Sequence, residues 1–425
     1  MISIVMIVFI LLLAIGVPIA FVLGLSSLLY LWIGEIPLVL LSQRFFVGID
    51  SFLLLAVPLF VLAGKLMNET GITDRLINFF IILMGHIRGG LAYITIITSV
   101  FFSGITGTGA ADAAAIGSIL IPAMIKEGYK ADYAAAITAV AAIIGPTIPP
   151  SVAMVVYGAS AGVSVAKMFL GGIVPGLLIA TVLMFVVWRS AKNLNVPVRE
   201  RQLTLSSFIK GFFDATLALF MPFIMIGGVI FGIFTPTEAA GVSVLYSAII
   251  GFFIYHRLTL RNLLKQIYDT ALITGTILVI IAFANLFGWI LAAEDIPGVV
   301  ARAIIRITDN PFIILLMINI LFLIVGCFME TLASVVLLTP ILLPLAIAIG
   351  LDPVHFGIIM VVNLNIGLVT PPVGVCLFVA SPIANVPIEK IFKAAIPFVV
   401  AMIGVLLLIT YIPDIAMFIP KLFLK

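Results

Sequence analysis

The chain has 425 residues, 64% of them hydrophobic and 9% charged, with a formal net charge of +3 at pH 7. Soluble domains carry about 25% charged residues, and no soluble core hides this much apolar surface. A soluble fold and a nucleic-acid partner are therefore excluded; the apolar runs are continuous, as in FIILLMINILFLIVGCFM (312–329), so the chain is read as an all-α, polytopic membrane protein and not a barrel.

The first 34 residues lack a basic leader region and a clear small-residue cleavage site, so 3–33 reads as a retained span and not a signal peptide. Next, IPLVLLSQRFFVGID (36–50) is amphipathic and is expected to lie along the interface. The stretch FFSGITGTGAADAAAIGSILIP (101–122) has an apolar arm, a tip of small and hydroxylated residues, and a second arm. This pattern predicts a re-entrant hairpin over about 101–125, with two ordinary spans packed through small residues as the alternative. Glycine in the tip lets backbone approach an ion or substrate closely. Asp112 follows the tip; an ionisable group in apolar sequence is a functional candidate, although a carboxylate there also suits a helix N-terminus.

At GPTIPPS (145–151) three prolines fall within five residues, and a helix cannot continue through them. A broken helix is expected over about 132–165. Irregular backbone at membrane depth survives only where protein or a water-filled cavity satisfies it, and its carbonyls can coordinate a hard cation such as Na+. Proline kinks used only for packing are the alternative. The polar stretch 189–211 holds Arg189, Lys192, Arg199, Arg201 and Lys210, and its basic character predicts a cytoplasmic loop.

In FGIFTPTEAAG (231–241), Thr-Pro-Thr-Glu resembles a capped helix start, so Glu238 is read as structural. HRLTLRNLLKQIYD (256–269) is a second amphipathic, interfacial candidate, and Glu294, Asp295, Arg302 and Arg306 also look interfacial. VGCFMETLASVVLLTPILLP (325–344) repeats the arm–tip–arm pattern with Glu330 and Thr331 at its tip, predicting a hairpin over about 325–349. NIGLVTPPVG (365–374) then breaks a helix over about 354–385. Cys327 and Cys376 sit in apolar runs and read as packing residues, and no His/Cys ligand cluster exists.

These landmarks recur at one offset. Pro122 and Pro344, Gly128 and Gly350, Gly145 and Gly367, Pro149–Pro150 and Pro371–Pro372, and Gly104 and Gly326 all stand 222 residues apart. SVAKMF (164–169) matches PIEKIF (387–392) after a one-residue insertion. The expected organisation is a first repeat over 1–188, the loop 189–211, and a second repeat over 212–425, the two inverted if each has an odd number of crossings. Duplicated halves with breaks at matching places point to a secondary transporter.

The segments GHIRGGLA (85–92), AAIGSILIPAMIKEGY (114–129), IPPSVAMVVYGASAGVSVAKMFLGGIVPG (148–176), FTPTEAAG (234–241) and TPPVGVCLFV (370–379) together resemble the large membrane subunit of tripartite ATP-independent periplasmic (TRAP) transporters. The resemblance implies a Na+-driven symporter in a bacterial inner membrane, with an elevator-type transport domain moving against a scaffold. It implies a separate small four-helix membrane subunit, a periplasmic substrate-binding protein, and an organic-acid substrate. Carried onto this chain, the ion sites are Ser103, Gly104, Thr106 and Gly107 facing Gly145, Pro146 and Thr147, and Gly326, Met329, Glu330 and Thr331 facing Gly367, Val369 and Thr370. The hydroxyls of Ser103, Thr106, Thr108 and Thr370, together with Asp112, are the candidate substrate contacts. The glycine-rich tip favours a sialic or other sugar acid, with a C4-dicarboxylate next. No arginine stands inside the transport region to clamp a carboxylate. An independent Na+- or H+-coupled carboxylate carrier, working without a binding protein, is the alternative. An intramembrane aspartyl protease needs two facing aspartates, and only Asp112 has a suitable setting; the chain is not read as an enzyme.

Overall fold

Glycine, proline and capping polar residues cut the apolar sequence into 21 α-helices among the described residues, which in this computed structural model are 2–191 and 204–424, with side chains at 103–106, 191 and 205 excepted. The first half contains α1 (Ile2–Ala14), α2 (Ile19–Ile33), α3 (Val39–Ile49), α4 (Ala56–Glu69) and α5 (Ile72–Met84). It continues with α6 (Gly90–Thr106), α7 (Gly109–Lys126), α8 (Ala131–Ala142), α9 (Val152–Ala161) and α10 (Val165–Ala191). The second half contains α11 (Leu205–Pro222), a single turn α12 (Gly228–Ile230), α13 (Pro236–Ile249), α14 (Leu260–Ala293) and α15 (Ile296–Ile307). It ends with α16 (Pro311–Phe328), α17 (Thr331–Ala348), α18 (Pro353–Gly367), α19 (Val375–Ala384), α20 (Ile388–Tyr411) and α21 (Pro413–Phe423). Among the described residues, nine helical segments are long and apolar enough to cross a membrane.

Local chemistry explains several starts. At α13, the Thr235 N–H donates to Glu238 Oε2 at 2.8 Å and the Glu238 N–H donates to Thr235 Oγ1 at 3.3 Å, a reciprocal box. Glu238 is therefore a cap, as its sequence context indicates. Asp352 accepts from the Val354 and His355 N–H groups at 2.8 and 3.2 Å and starts α18.

The core is built around α8 and α18. Residues 133–142 and 354–367 are buried without interruption, so neither helix has a lipid-facing or water-facing side. A helix apolar all round belongs in a protein interior. At 12 and 15 residues both are also too short for a hydrocarbon core of about 30 Å at about 1.5 Å per residue. α7, α19, α20 and α6 pack on α8, while α16, α17, α20, α10 and α9 pack on α18. Large exposed apolar side chains, among them Trp32, Phe213 and Phe253, lie on outer helices, where lipid satisfies them.

Helix boundaries keep the sequence offset. α7 and α17 begin 222 residues apart (109, 331) and end 222 apart (126, 348); α8 and α18 begin 222 apart (131, 353). α9 and α19 stand 223 apart at both ends (152, 375 and 161, 384), so the extra residue falls between the second proline and α19.

Several expected boundaries move. The segment 3–33 is two helices, because Gly16 at φ 85° and Pro18 end α1 and restart the chain. The amphipathic segment 256–269 is not a separate interfacial helix: Thr259 caps α14, which then runs 34 residues with no internal proline. The segment 36–50 forms α3, which packs along α14. The hairpin arms begin earlier than expected, at Gly90 and Pro311 and not at about 101 and 325. The loop expected at 189–211 shrinks, since Arg189 lies in the last turn of α10 and Lys210 lies inside α11; residues 192–203, with Lys192, Arg199 and Arg201, lie outside the described residues.

Candidate functional site

The first break covers 143–151 between α8 and α9, and every residue of it is buried. Its two side-chain hydroxyls are satisfied internally. Ser151 Oγ donates to the Pro146 carbonyl at 2.6 Å and accepts from the Met154 N–H at 3.3 Å, capping α9. Thr147 Oγ1 donates to the Ile143 carbonyl at 3.0 Å. The second break, 368–374, is less enclosed: Val369 is fully buried, Thr370 and Pro371 are half-buried, and Pro372 and Val373 are exposed. Thr370 Oγ1 donates to the Ile366 carbonyl at 2.9 Å, the same four-residue back-bond that Thr147 makes. In each break the two prolines are joined by a cis peptide bond.

Each break receives the hairpin before it. Gly107, at φ 63°, stands at the α6–α7 tip, and a Cβ there would lie 3.3 Å from both the Pro150 carbonyl oxygen and the Val152 nitrogen. Asp112 is fully buried one turn into α7, and a Cβ on Gly145 would fall on its Oδ2. The absent side chain at Gly145 is what admits the carboxylate. In the second half, Gly326 and Gly367 pack backbone to backbone, with no space for a Cβ on Gly367. The Val373 N–H donates to the Cys327 carbonyl at 3.0 Å. Glu330 caps α17, its Oε2 accepting from the Leu332 and Ala333 N–H groups at 3.1 and 3.3 Å in part-buried bonds. Met329 is half-buried beside it.

The two halves meet at these breaks. Thr331 Oγ1 donates to Asn365 Oδ1 at 3.3 Å, and Asn365 Nδ2 donates to Thr147 Oγ1 at 3.2 Å. One amide thus joins the second hairpin, the second broken helix and the first break, and all three residues are buried. Gly109 adds a second crossing: a Cβ there would lie 3.1 Å from a Leu368 methyl and 3.3 Å from Cys376 Sγ.

Of the candidate residues, Asp112 and Gly145 are brought together, as are Gly326 and Gly367; Gly107 meets the first break at Pro150, and Thr147 is linked to Thr331 through Asn365. Thr108 is the half-buried N-cap position of α7. The side chains of Ser103, Gly104 and Thr106 lie outside the described residues, and only their place at the end of α6 is defined. Asn365 was missed by sequence reasoning. The signal was present in VVNLNIG, where two amides stand in an otherwise apolar buried run. The other amide, Asn363, donates to Asn319 Oδ1, and Asn319 Nδ2 donates to Thr410 Oγ1 at 3.1 Å, which ties α18 to α16 and α20.

A cleft of about 400 Å³ separates α3 and α14 from α9 and α17. It lies at the far end of α9 from the first break. Arg44 lines it, with its guanidinium over the Trp289 ring at 5.4 Å from the centroid. In sequence no arginine stands inside the transport region, and Arg88 and Lys167 are nearest; Arg44 stands far upstream of either hairpin, and only packing brings it to a cleft that α9 also lines.

The profile of the family described as "Tripartite ATP-independent periplasmic transporter, DctM component" matches residues 6–415. The chain is 46% identical over 413 residues to the isethionate TRAP transporter permease protein DctMQ of Oleidesulfovibrio alaskensis, covering 96% of this chain but only 65% of that protein. It is 40% identical over 413 residues to the sialic acid TRAP transporter large permease protein SiaM of Vibrio cholerae, covering 96% of each. The crystal structure of the Alcanivorax borkumensis YdaH transporter has the same fold, with a TM-score of 0.59 at 16% identity over 87% of this chain and 86% of that one. The chain belongs to the TRAP transporter family as a large permease subunit, a multi-pass protein of the bacterial inner membrane.

Proposed function

We propose that this chain is the membrane motor of a Na+-coupled importer that moves an organic acid delivered by a periplasmic binding protein. The observation that carries the reading is the bridge Thr331–Asn365–Thr147, buried in apolar surroundings, which joins the first break, the second broken helix and a hairpin tip. Buried polar groups at broken helices are costly unless partnered, and in a carrier they are the groups a cation meets. Carbonyl, hydroxyl and amide oxygens are hard donors, suited to Na+ and not to a soft metal.

In this reading the two halves are repeats of one unit, and their hairpins re-enter the membrane. The hairpins and broken helices form a transport domain that slides against a scaffold containing α3, α4, α13 and α14. Na+ binds where each hairpin meets its break, around Gly107 and Gly145 and around Gly326 and Gly367. Binding orders the tips, and only the loaded domain moves. The membrane potential alone supplies about 2.3 kcal/mol per charge per 100 mV. The relatives' printed substrates, isethionate and sialic acid, are both organic anions, and that shared chemistry is the substrate class proposed here. A sugar acid and a C4-dicarboxylate are the first compounds to try beside a small sulfonate. A separate four-helix small subunit completes the scaffold.

The test is uptake into proteoliposomes containing this chain and its small subunit. Labelled sialic acid, succinate and isethionate are offered with and without a Na+ gradient and with and without the cognate binding protein. Uptake of one of these acids that needs both Na+ and the binding protein is the expected result. Uptake without the binding protein, or driven by H+ alone, would overturn the tripartite reading in favour of an independent carrier.

A further inference from the structure

We propose that Arg44 clamps the acid group of the transported anion, in the cleft between α3–α14 and α9–α17. The inference rests on the reading of the chain as an organic-anion carrier and gives that carrier an anion subsite on the wall opposite the hairpins.

Four observations support it. The cleft, at about 400 Å³, falls within the range of small-ligand pockets. Among its described lining residues Arg44 is the one charged group, so the cleft selects for negative charge. The Trp289 face positions the guanidinium without neutralising it, and a guanidinium stays charged at any physiological pH. Asn285 and Ser51 on the same wall, and Ser160 on the facing one, add neutral donors for an oxyanion and for substrate hydroxyls.

The placement also connects the anion to the Na+ sites. α9 starts at the first break and carries Ser160 to the cleft; α17 starts at the second hairpin tip and carries Val336 to it. Ordering a break or a tip therefore sets the position of the wall that faces Arg44. In this state an anion in the cleft touches α3 and α14 through its acid group and α9 and α17 through the rest of its body, and the acid group leaves Arg44 when the loaded α9–α17 wall moves. A planar fork pairs with carboxylate or sulfonate through two parallel hydrogen bonds, so the subsite accepts either acid.

The experiment compares wild type, Arg44→Gln and Arg44→Lys for uptake of isethionate, sialic acid and succinate in the reconstituted complex. For whichever acid the wild type imports, Arg44→Gln is expected to raise KM about tenfold or more, with the maximal rate and, at saturating acid, the half-saturating Na+ concentration nearly unchanged, while Arg44→Lys recovers part of the loss. A general structural defect would instead lower the maximal rate and shift Na+ dependence in both variants. As a measurement independent of Arg44 substitution, Ser160→Cys is labelled with a charged thiosulfonate reagent, with labelling of the parent chain subtracted. The imported acid, added with Na+, is expected to slow that labelling about fivefold, as occupancy near saturation requires. An unchanged KM in Arg44→Gln, or no protection at position 160 by an acid that the wild type imports, overturns the assignment. If the wild type imports none of the acids, the carrier reading itself fails, which is a separate result.

Discussion

Three glycines with different neighbours separate what a missing side chain does. At Gly367 a Cβ meets the Gly326 backbone, which cannot move aside. At Gly145 it meets the end of the Asp112 side chain, which can rotate but is fully buried. At Gly404, on α20, a Cβ meets nothing within 4 Å. Gly367→Ala is therefore expected to destabilise by about 3 kcal/mol or more, Gly145→Ala by about 1–2 kcal/mol, and Gly404→Ala is expected to be neutral or slightly stabilising. Thermal unfolding of the purified variants gives the ranking directly. The Gly145→Ala cost is expected to shrink in an Asp112→Ala background, and simple additivity would show that the contact is not the cause. Asn365→Ala leaves Thr331 and Thr147 without their shared partner. It is expected to cost about 1–3 kcal/mol and to raise the Na+ concentration needed for half-maximal uptake. An unchanged Na+ response would detach the bridge from ion binding.

At the scale of elements, the breaks are built as well as permitted. Prolines stop α8 and α18, but Ser151 decides where α9 restarts, because its hydroxyl both caps the new helix and satisfies the Pro146 carbonyl. Ser151→Ala removes both bonds in a fully buried setting and is expected to lower stability by about 1–2 kcal/mol. Thr235→Ala, which removes a cap on the exposed start of α13, is expected to cost about 1 kcal/mol. Uptake separates the two: Ser151→Ala is expected to slow transport, and Thr235→Ala to leave KM and rate unaltered. Elements with strong local signals were legible in sequence. Both breaks, the helix turns at 107–108 and 329–330 and the Glu238 cap were read from proline spacing, small-residue stretches and a Thr-Pro-Thr-Glu start. The junction of 256–269 with α14 was not legible, because an amphipathic stretch followed by an apolar one has the same local pattern whether or not the helix continues through it. Continuity was decided by α14 packing against α2, α3, α4 and α17 along its length.

Across the whole molecule, α3 and α14 stand on one side of the cleft and α9 and α17 on the other, while α17 also touches α14. If transport requires these groups to slide, a covalent tie must stop it. A bifunctional thiol reagent linking Ser160→Cys on α9 to Asn285→Cys on α14 is expected to abolish uptake by the double variant and not by either single one. Continued uptake by fully cross-linked protein would exclude relative motion of the two walls.

Composition alone settled that the chain lives in a membrane, since 9% charged residues cannot solvate a surface of this size. Proline and glycine at matched positions, 222 residues apart, settled where its helices break, because backbone restrictions are local and need no partner to act. Only the tertiary structure decided that Asn365 meets Thr147 and Thr331, that Asp112 fits the space left by Gly145, and that Arg44 reaches a cleft lined by α9. These contacts join residues up to 218 positions apart. Helical periodicity states which face of a segment is apolar, but not which of many apolar helices that face will meet; that choice is made by side-chain shape and by the pairing of a few buried polar groups.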